Sequence, residues 1–321
     1  MTPMRVSSEG RIVSYEAFLG WFEGKRVFAT EIVSSRLRLP FPVLPTPKSL
    51  LLPQREVLYR FFWEKRTWNI TPAFPSEETV FLLCAPCEAR AVVRVLDAVF
   101  LESAPQDTSY ARRRKGLTLF VVGCTFFGAT CFCTRVGGSP LSSEGASGFV
   151  LSLPFGMYLE GEGPEGRSPG PLEKEELERV LEHLKQSAPP PFPERTPEYL
   201  FQAFGEASWE EVAWGCLNCG ACTFLCPTCF CFDLAPEGRL RGAMIRTWDS
   251  CQFPKFTLHA SSHNPRPHPL QRVRQRILHK FSYFPLRKGC FSCVGCGRCV
   301  LVCPVNWSIQ EAVERMVSGA Q

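Results

Sequence analysis

Two short stretches of cysteine constrain this chain more than any other feature. The first is Cys216-x2-Cys219-x2-Cys222-x3-Cys226-Pro227, and the second is Cys293-x2-Cys296-x2-Cys299-x3-Cys303-Pro304. Three thiolates spaced in this way bind three irons of one [4Fe–4S] cube, and in paired runs the last cysteine of each goes to the other's cube. The spacing therefore assigns Cys216, Cys219, Cys222 and Cys303 to one cluster, and Cys293, Cys296, Cys299 and Cys226 to the second. Two zinc sites are the alternative. Zinc knots, however, space their cysteines as separate pairs, not as a run of four closed by proline.

The chain is much longer than a free-standing ferredoxin, with 321 residues and 17 cysteines. That length allows a sizeable core and two domains. Cysteines grouped as C-x-x-C in a reducing compartment point to metal, not to disulfides. The first residues, MTPMRVSSEGRIVSYEAF, hold no apolar core of signal-peptide length. No run reaches the roughly 20 apolar residues that span a bilayer. A cytoplasmic location is expected. The net charge of +5 is mild and does not mark a nucleic-acid binder, which concentrates its charge on one face. The basic residues do gather between the two runs, at Arg266, Arg272, Arg274, Arg276, Lys280, Arg287 and Lys288. A solvated helix face, docking to an acidic partner, and compensation of cluster charge are the three readings of that group.

Along the chain, Leu39 to Pro47 is a proline-rich connector, and residues 54–62 read as a short helix. Thr79–Leu83 and Leu117–Val122 are apolar runs of the buried-strand type, and each delivers cysteine at its end: Cys84 and Cys87 after the first, Cys124 after the second. A helix follows Cys87. This alternation predicts an α/β unit, whose sites lie beyond the carboxyl ends of the strands. Cys131 and Cys133 follow in Thr130-Cys-Phe-Cys133, so Cys87, Cys124, Cys131 and Cys133 are placed to form a third cluster site; buried free cysteines are the other reading. Phe149–Phe155 is a further strand, and residues 172–185 form an amphipathic helix. The break at Ala188-Pro-Pro-Pro-Phe-Pro193 marks a boundary between an N-terminal α/β domain (1–190) and a largely helical, ferredoxin-like dicluster domain (191–321) with a basic insert (232–289). The expected class is α+β. Ser208 with Glu211 is a capping-box start for a helix leading into Cys216.

The tetrapeptide Thr-Cys-Phe-Cys recurs at 228–231, so Cys229, Cys231 and Cys251 are possible further ligands. His263 and His279 read as structural histidines. No G-x-G-x-x-G or phosphate-loop motif is present. The chain thus carries no hydride or flavin chemistry of its own, and holding clusters is the expected role.

Several of these stretches resemble one family of iron–sulfur subunits, which includes the beta subunit of cytoplasmic sulfhydrogenases (NAD(P)-linked nickel–iron hydrogenases) and the corresponding iron–sulfur subunit of anaerobic sulfite reductase. The resemblance is carried by Pro47-Lys-Ser, Pro86-Cys87-Glu, Thr130-Cys-Phe-Cys-Thr, Cys216 to Asp233, Trp248-Asp-Ser-Cys251, His263-Asn-Pro-Arg-Pro267, His279 to Pro285 and Cys293 to Val305. It departs from the family at Ala85, in the loop Arg135-Val-Gly-Gly-Ser139, at Ser261-Ser262 and at Asn306-Trp-Ser308. It implies an electron-transfer subunit without a catalytic site of its own. Such a subunit sits between a flavin subunit that handles NAD(P)H and a catalytic hydrogenase or reductase subunit. The equivalent subunit of a flavin oxidoreductase–heterodisulfide reductase complex is the related alternative. A non-redox iron–sulfur module, structural or nucleic-acid-binding, is the alternative of another class.

Overall fold

The computed structural model describes residues 4, 6–7, 9–206 and 208–318. Its strands are β1 (Arg11–Val13), β2 (Val27–Thr30), β3 (Val43–Leu44), β4 (Arg55–Glu64), β5 (Thr67–Pro72), β6 (Val80–Cys84), β7 (Leu117–Val122), β8 (Gly148–Leu153), β9 (Gly156–Gly161), β10 (Phe232–Gly238) and β11 (Arg241–Trp248). Among the described residues they form two sheets, in the orders β1-β9-β8-β7-β6-β2-β3 and β10-β11-β4-β5.

The centre of the larger sheet is parallel, from β3 through β2, β6 and β7 to β8, with β9 and β1 added antiparallel at one side. Strands covered on both faces read as continuous apolar runs, and β6 (VFLLC) and β7 (LTLFVV) are of that kind. Alternate residues serve opposite faces. Leu82, Leu119, Val121 and Leu151 pack with Val92, Leu96, Leu177 and Leu184 of the helices on one side. Leu83, Phe120 and Val150 pack with Phe18, Phe22 and Val33 on the other. The expected α/β alternation and the helix Pro171–Ser187 are both present. So is the helix after β6, which runs from Pro86 to Phe100 through a π turn at Ala91–Leu96.

Residues 54–62 differ from expectation: they are extended, as most of β4. The segment Val57-Leu-Tyr-Arg-Phe-Phe-Trp63 is rich in aromatic side chains that suit a pleated surface. What decides its state is distant in sequence, because β4 pairs with β11, setting Arg60 against Ala243 and Phe62 against Arg241. The insert is thus more than its basic helix, since it also supplies β10 and β11. The smaller sheet thereby joins residues 55–72 to residues 232–248.

The C-terminal part is largely helical. Thr196–Gln202, Ser208–Ala213, Pro269–Leu278 and Ile309–Ser318 bury Trp209, Val273, Ile277, Phe281, Val313 and Met316 among them. The basic residues of the insert range from exposed to buried, with Arg266 and Arg274 half-buried. Arg287 and Lys288 are exposed, whereas Arg272, Arg276 and Lys280 are buried, so a solvated face does not describe that helix.

One buried ion pair ties the second cysteine run to the larger sheet. Arg298 lies between Gly297 and Cys299, and its Nη2 donates to Glu88 Oε1. Glu88 is fully buried at the start of the helix that follows β6. Its other oxygen accepts from Thr30 Oγ1 at 2.5 Å and from Ala85 N at 2.8 Å. Removing one partner strands a buried charge. Arg298→Met should therefore cost about 3–5 kcal/mol, read by chemical denaturation of anaerobically purified protein, and Arg298→Met with Glu88→Leu should recover part of the loss.

Candidate metal centre

The first run leaves the helix Ser208–Ala213, with Cys216 N donating to Ala213 O at 3.2 Å. Cys216, Cys219, Cys222 and Cys303 line one cavity, closed by Gln252, Val273, Arg276 and Trp307. Cys303 therefore stands with the first run although the second run carries it. Its Sγ accepts from Trp307 N at 3.2 Å, and Cys216 Sγ accepts from the Asn218 side chain at 3.4 Å. Hydrogen bonds to ligand sulfur tune the potential of a cluster.

Cys226 stands close to the thiols of the second run. Burial pushes the thiols of Cys293 (to about 12), Cys296 and Cys299 up, and the nearby Cys226 adds to the effect on all three. Lys280, Arg298 and Arg276 respectively oppose it. A thiol this deeply buried is costly to ionise without compensation, and coordination to a metal supplies it, deprotonating the thiol outright.

Cys87, Cys124, Cys131 and Cys133 line a second cavity, beside Arg36, Ser139, Gly295 and Cys296. The fold explains their meeting. Cys87 follows β6 and Cys124 follows β7, so both leave the carboxyl edge of the parallel sheet. The loop bearing Cys131 and Cys133 folds back over that edge. Burial pushes the Cys124 thiol up, and Arg36 counters it, donating Nη1 to Cys124 Sγ at 2.8 Å. Burial likewise holds Cys133 up at about 12. Cys84 stands elsewhere, fully buried in the apolar core as the last residue of β6. Cys290 lies apart from these cavities, its thiol 4.0 Å from Arg94 O.

Cys229, Cys231 and Cys251 form a further group, Cys229 beside Cys226 and Cys231 beside Cys251. Neither histidine singled out in the sequence joins a thiol group. His263 packs edge-on to His259, and His279 packs on Phe230 with burial lowering its pKa to about 4. Among the described residues no three His, Cys, Asp or Glu side chains close on one point as around a single ion. A cube takes its thiolates at separate corners.

The residues that the sequence does not single out are cations and their partners: Arg36, Lys48, Glu88 and Arg298. Arg36 and Lys48 stand far in sequence from the thiols they serve, and Lys48 and Glu88 are signalled only within the stretches Pro47-Lys-Ser and Pro86-Cys87-Glu.

The second run is pressed against Thr130-Cys-Phe-Cys133. Phe132 N donates to Gly295 O at 2.9 Å. Gly295 and Gly297 both have left-handed backbones, with φ of +64° and +75°. A Cβ on Gly295 would lie 2.5 Å from Phe132 C and 2.6 Å from Cys133 Cα. Only glycine accommodates both the backbone conformation and the contact. Gly295→Ala should therefore part the two segments, lowering the thermal midpoint and the iron content of the purified chain together, as read by calorimetry and iron assay.

Comparison with known proteins places the two cysteine runs in a known kind of domain. The 4Fe-4S dicluster domain family matches residues 215–307, which span both runs. Sulfhydrogenase 2 subunit beta of Pyrococcus furiosus is 30% identical over 293 residues, covering 86% of this chain and 84% of that protein. No solved structure matches. The similarity thus extends well beyond the dicluster segment, through the sheet that bears Cys87 and Cys124, and this chain belongs to the family of sulfhydrogenase beta subunits.

Proposed function

We propose that this chain is the electron-transfer subunit of a cytoplasmic multi-subunit oxidoreductase of hydrogenase type. It relays single electrons between a flavin subunit that handles NAD(P)H and a catalytic subunit that acts as a hydrogenase or as a sulfite or polysulfide reductase. The relative's name, a sulfhydrogenase beta subunit, supports a place in such an assembly.

The observation that carries the reading is the continuity of the three four-cysteine groups. Cys296 of the second run also lines the cavity of Cys87, Cys124, Cys131 and Cys133. Cys299 of the second run also lines the cavity of the first. The second group therefore touches both of the others, giving a path through the chain. Each end of the path approaches the surface. Cys219, Leu217 and Trp214 are exposed beside the first group, and Phe126 and Leu301 are exposed beside the third. Among the described residues no helix is long and apolar enough to cross a membrane.

A [4Fe–4S] cluster, when bound, supplies one-electron chemistry at a potential that its surroundings set. The residues of the chain provide those surroundings. Cys226 and Cys293 are buried, while Cys219 reaches the surface. The Trp307 amide and the Asn218 side chain donate to ligand sulfur. Arg36 and Arg276 place positive charge against the thiols, which favours the more negative, reduced state.

The test is anaerobic purification with copurifying partners, followed by a redox titration monitored by EPR. Clusters that reduce reversibly with NAD(P)H through a copurified flavin subunit are expected; clusters that stay silent throughout the titration overturn the electron-transfer reading. Cys124→Ser should remove about four iron atoms per chain and one EPR signal, with the dicluster signals kept. Unchanged iron and spectra would sink the third cluster.

A further inference from the structure

Three buried cations converge on one part of the molecule without a carboxylate to meet them. Lys48, Arg276 and Lys280 are each 3% exposed. Lys48 Nζ donates to Thr223 O and Cys229 O, both at 3.0 Å, and lies 4.0 Å from the centre of the Trp248 ring. Arg276 Nη1 donates to Cys229 Sγ at 3.3 Å, Nη2 donates to Cys222 O at 3.3 Å, and its buried Nε has no partner. Lys280 Nζ donates to Thr228 Oγ1 at 2.7 Å. Buried charges are paired or bound to a counter-charge, because an isolated one is too costly to keep. The anionic groups facing these three cations are thiols: Cys226 and Cys229 face all three, and Cys222 and Cys299 also face Arg276.

Cys229 does not stand alone. Cys231 is two residues on, and Cys251 comes beside Cys231 just past the end of β11. The insert is anchored there, since Asp249 N donates to Cys231 O at 3.0 Å. The same tetrapeptide, Thr-Cys-Phe-Cys, supplies two of the four thiols of the cavity at the sheet edge, where Arg36 is the cation. The two copies thus share a design: a C-x-C pair, a thiol from another segment, and a buried or half-buried cation donating to sulfur.

We propose that Cys229, Cys231 and Cys251 hold a further iron–sulfur cluster, whose negative charge Lys48, Arg276 and Lys280 offset. The proposal rests on the reading of Cys226 as a ligand of the second run. The new site then has three thiolates and takes a [3Fe–4S] cluster, or a cube whose fourth corner is filled by a non-cysteine ligand. Cys226 and Cys222 flank the site, so it stands beside both clusters of the ferredoxin-like runs. A zinc ion is the competing occupant of a sulfur-rich site.

The experiment uses the full chain with its copurifying partners, prepared anaerobically, with iron, acid-labile sulfide and zinc counted per chain and EPR recorded through a redox titration. Cys231→Ser with Cys251→Ser should remove about three to four iron atoms and one EPR signal, leaving the dicluster signals in place. Unchanged iron, or a loss of zinc in place of iron, overturns the proposal. Failure of the underlying reading looks different: the dicluster signals are then missing or silent in the unaltered chain. Where the serine variant yields no folded protein, Lys48→Met decides. It should shift the midpoint of one signal downward more than the others, and midpoints that all stay put overturn the proposal.

Discussion

The contact between Arg298 and Glu88 is the interaction on which the arrangement of thiol groups depends. Glu88 is fixed by the larger sheet, through Thr30 at the end of β2 and the amide of Ala85 after β6. Arg298 belongs to the loop that carries Cys296 and Cys299. The pair is desolvated on both sides, so neither partner can leave without exposing the other to an apolar surrounding. It holds the second run at the carboxyl edge of the sheet, where Cys87 and Cys124 emerge. Gly295 and Gly297 then admit the loop of Cys131 and Cys133 to backbone contact. The pair thus joins the β4–β11 pairing and the Lys48 contacts in holding the two sources of cysteine together.

Charge follows the same logic throughout. Burial opposes ionisation of the thiols at both ends of the path, raising Cys87 and Cys124 in one cavity and Cys222 in the other. Arginine or lysine stands against the most deeply placed of them. Arg36 serves the sheet-edge cavity, Arg298 the junction, and Arg276 with Lys280 the region between the two ferredoxin-like runs. Arg272, Arg276 and Lys280, which look like part of a surface patch in the sequence, are therefore interior charges, set by which face of Pro269–Leu278 and the turn after it points inward.

The legible part of the molecule is local. The buried runs of β6 and β7, the helix Pro171–Ser187, and the spacing of the two cysteine runs all follow from residues within a dozen or so positions of one another. The meeting of Cys87, Cys124, Cys131 and Cys133 is legible one step further, because strand ends in a parallel sheet share an edge. Long-range pairing is not legible. The segment Val57–Trp63 carries both helical and extended signals, and only β11 settles it. Likewise Lys48 is an ordinary residue until Thr223 and Cys229 close around it, and nothing near Glu88 names Arg298 as its partner.

The pairing of β4 with β11 has a consequence for how the chain comes into being. As the protein emerges from the ribosome, β4 and β5 can form a hairpin early, with Trp63 and Trp68 in contact across it. One edge of that hairpin then stays open, with unpaired backbone groups, until β11 has been synthesised. Open edges of this kind invite pairing with other chains. The segments that close the edge, β10 and β11, lie between Cys231 and Cys251. Capture of metal by the cysteines on either side of them would thus also seal the exposed strand, coupling cofactor loading to protection of the nascent protein from aggregation.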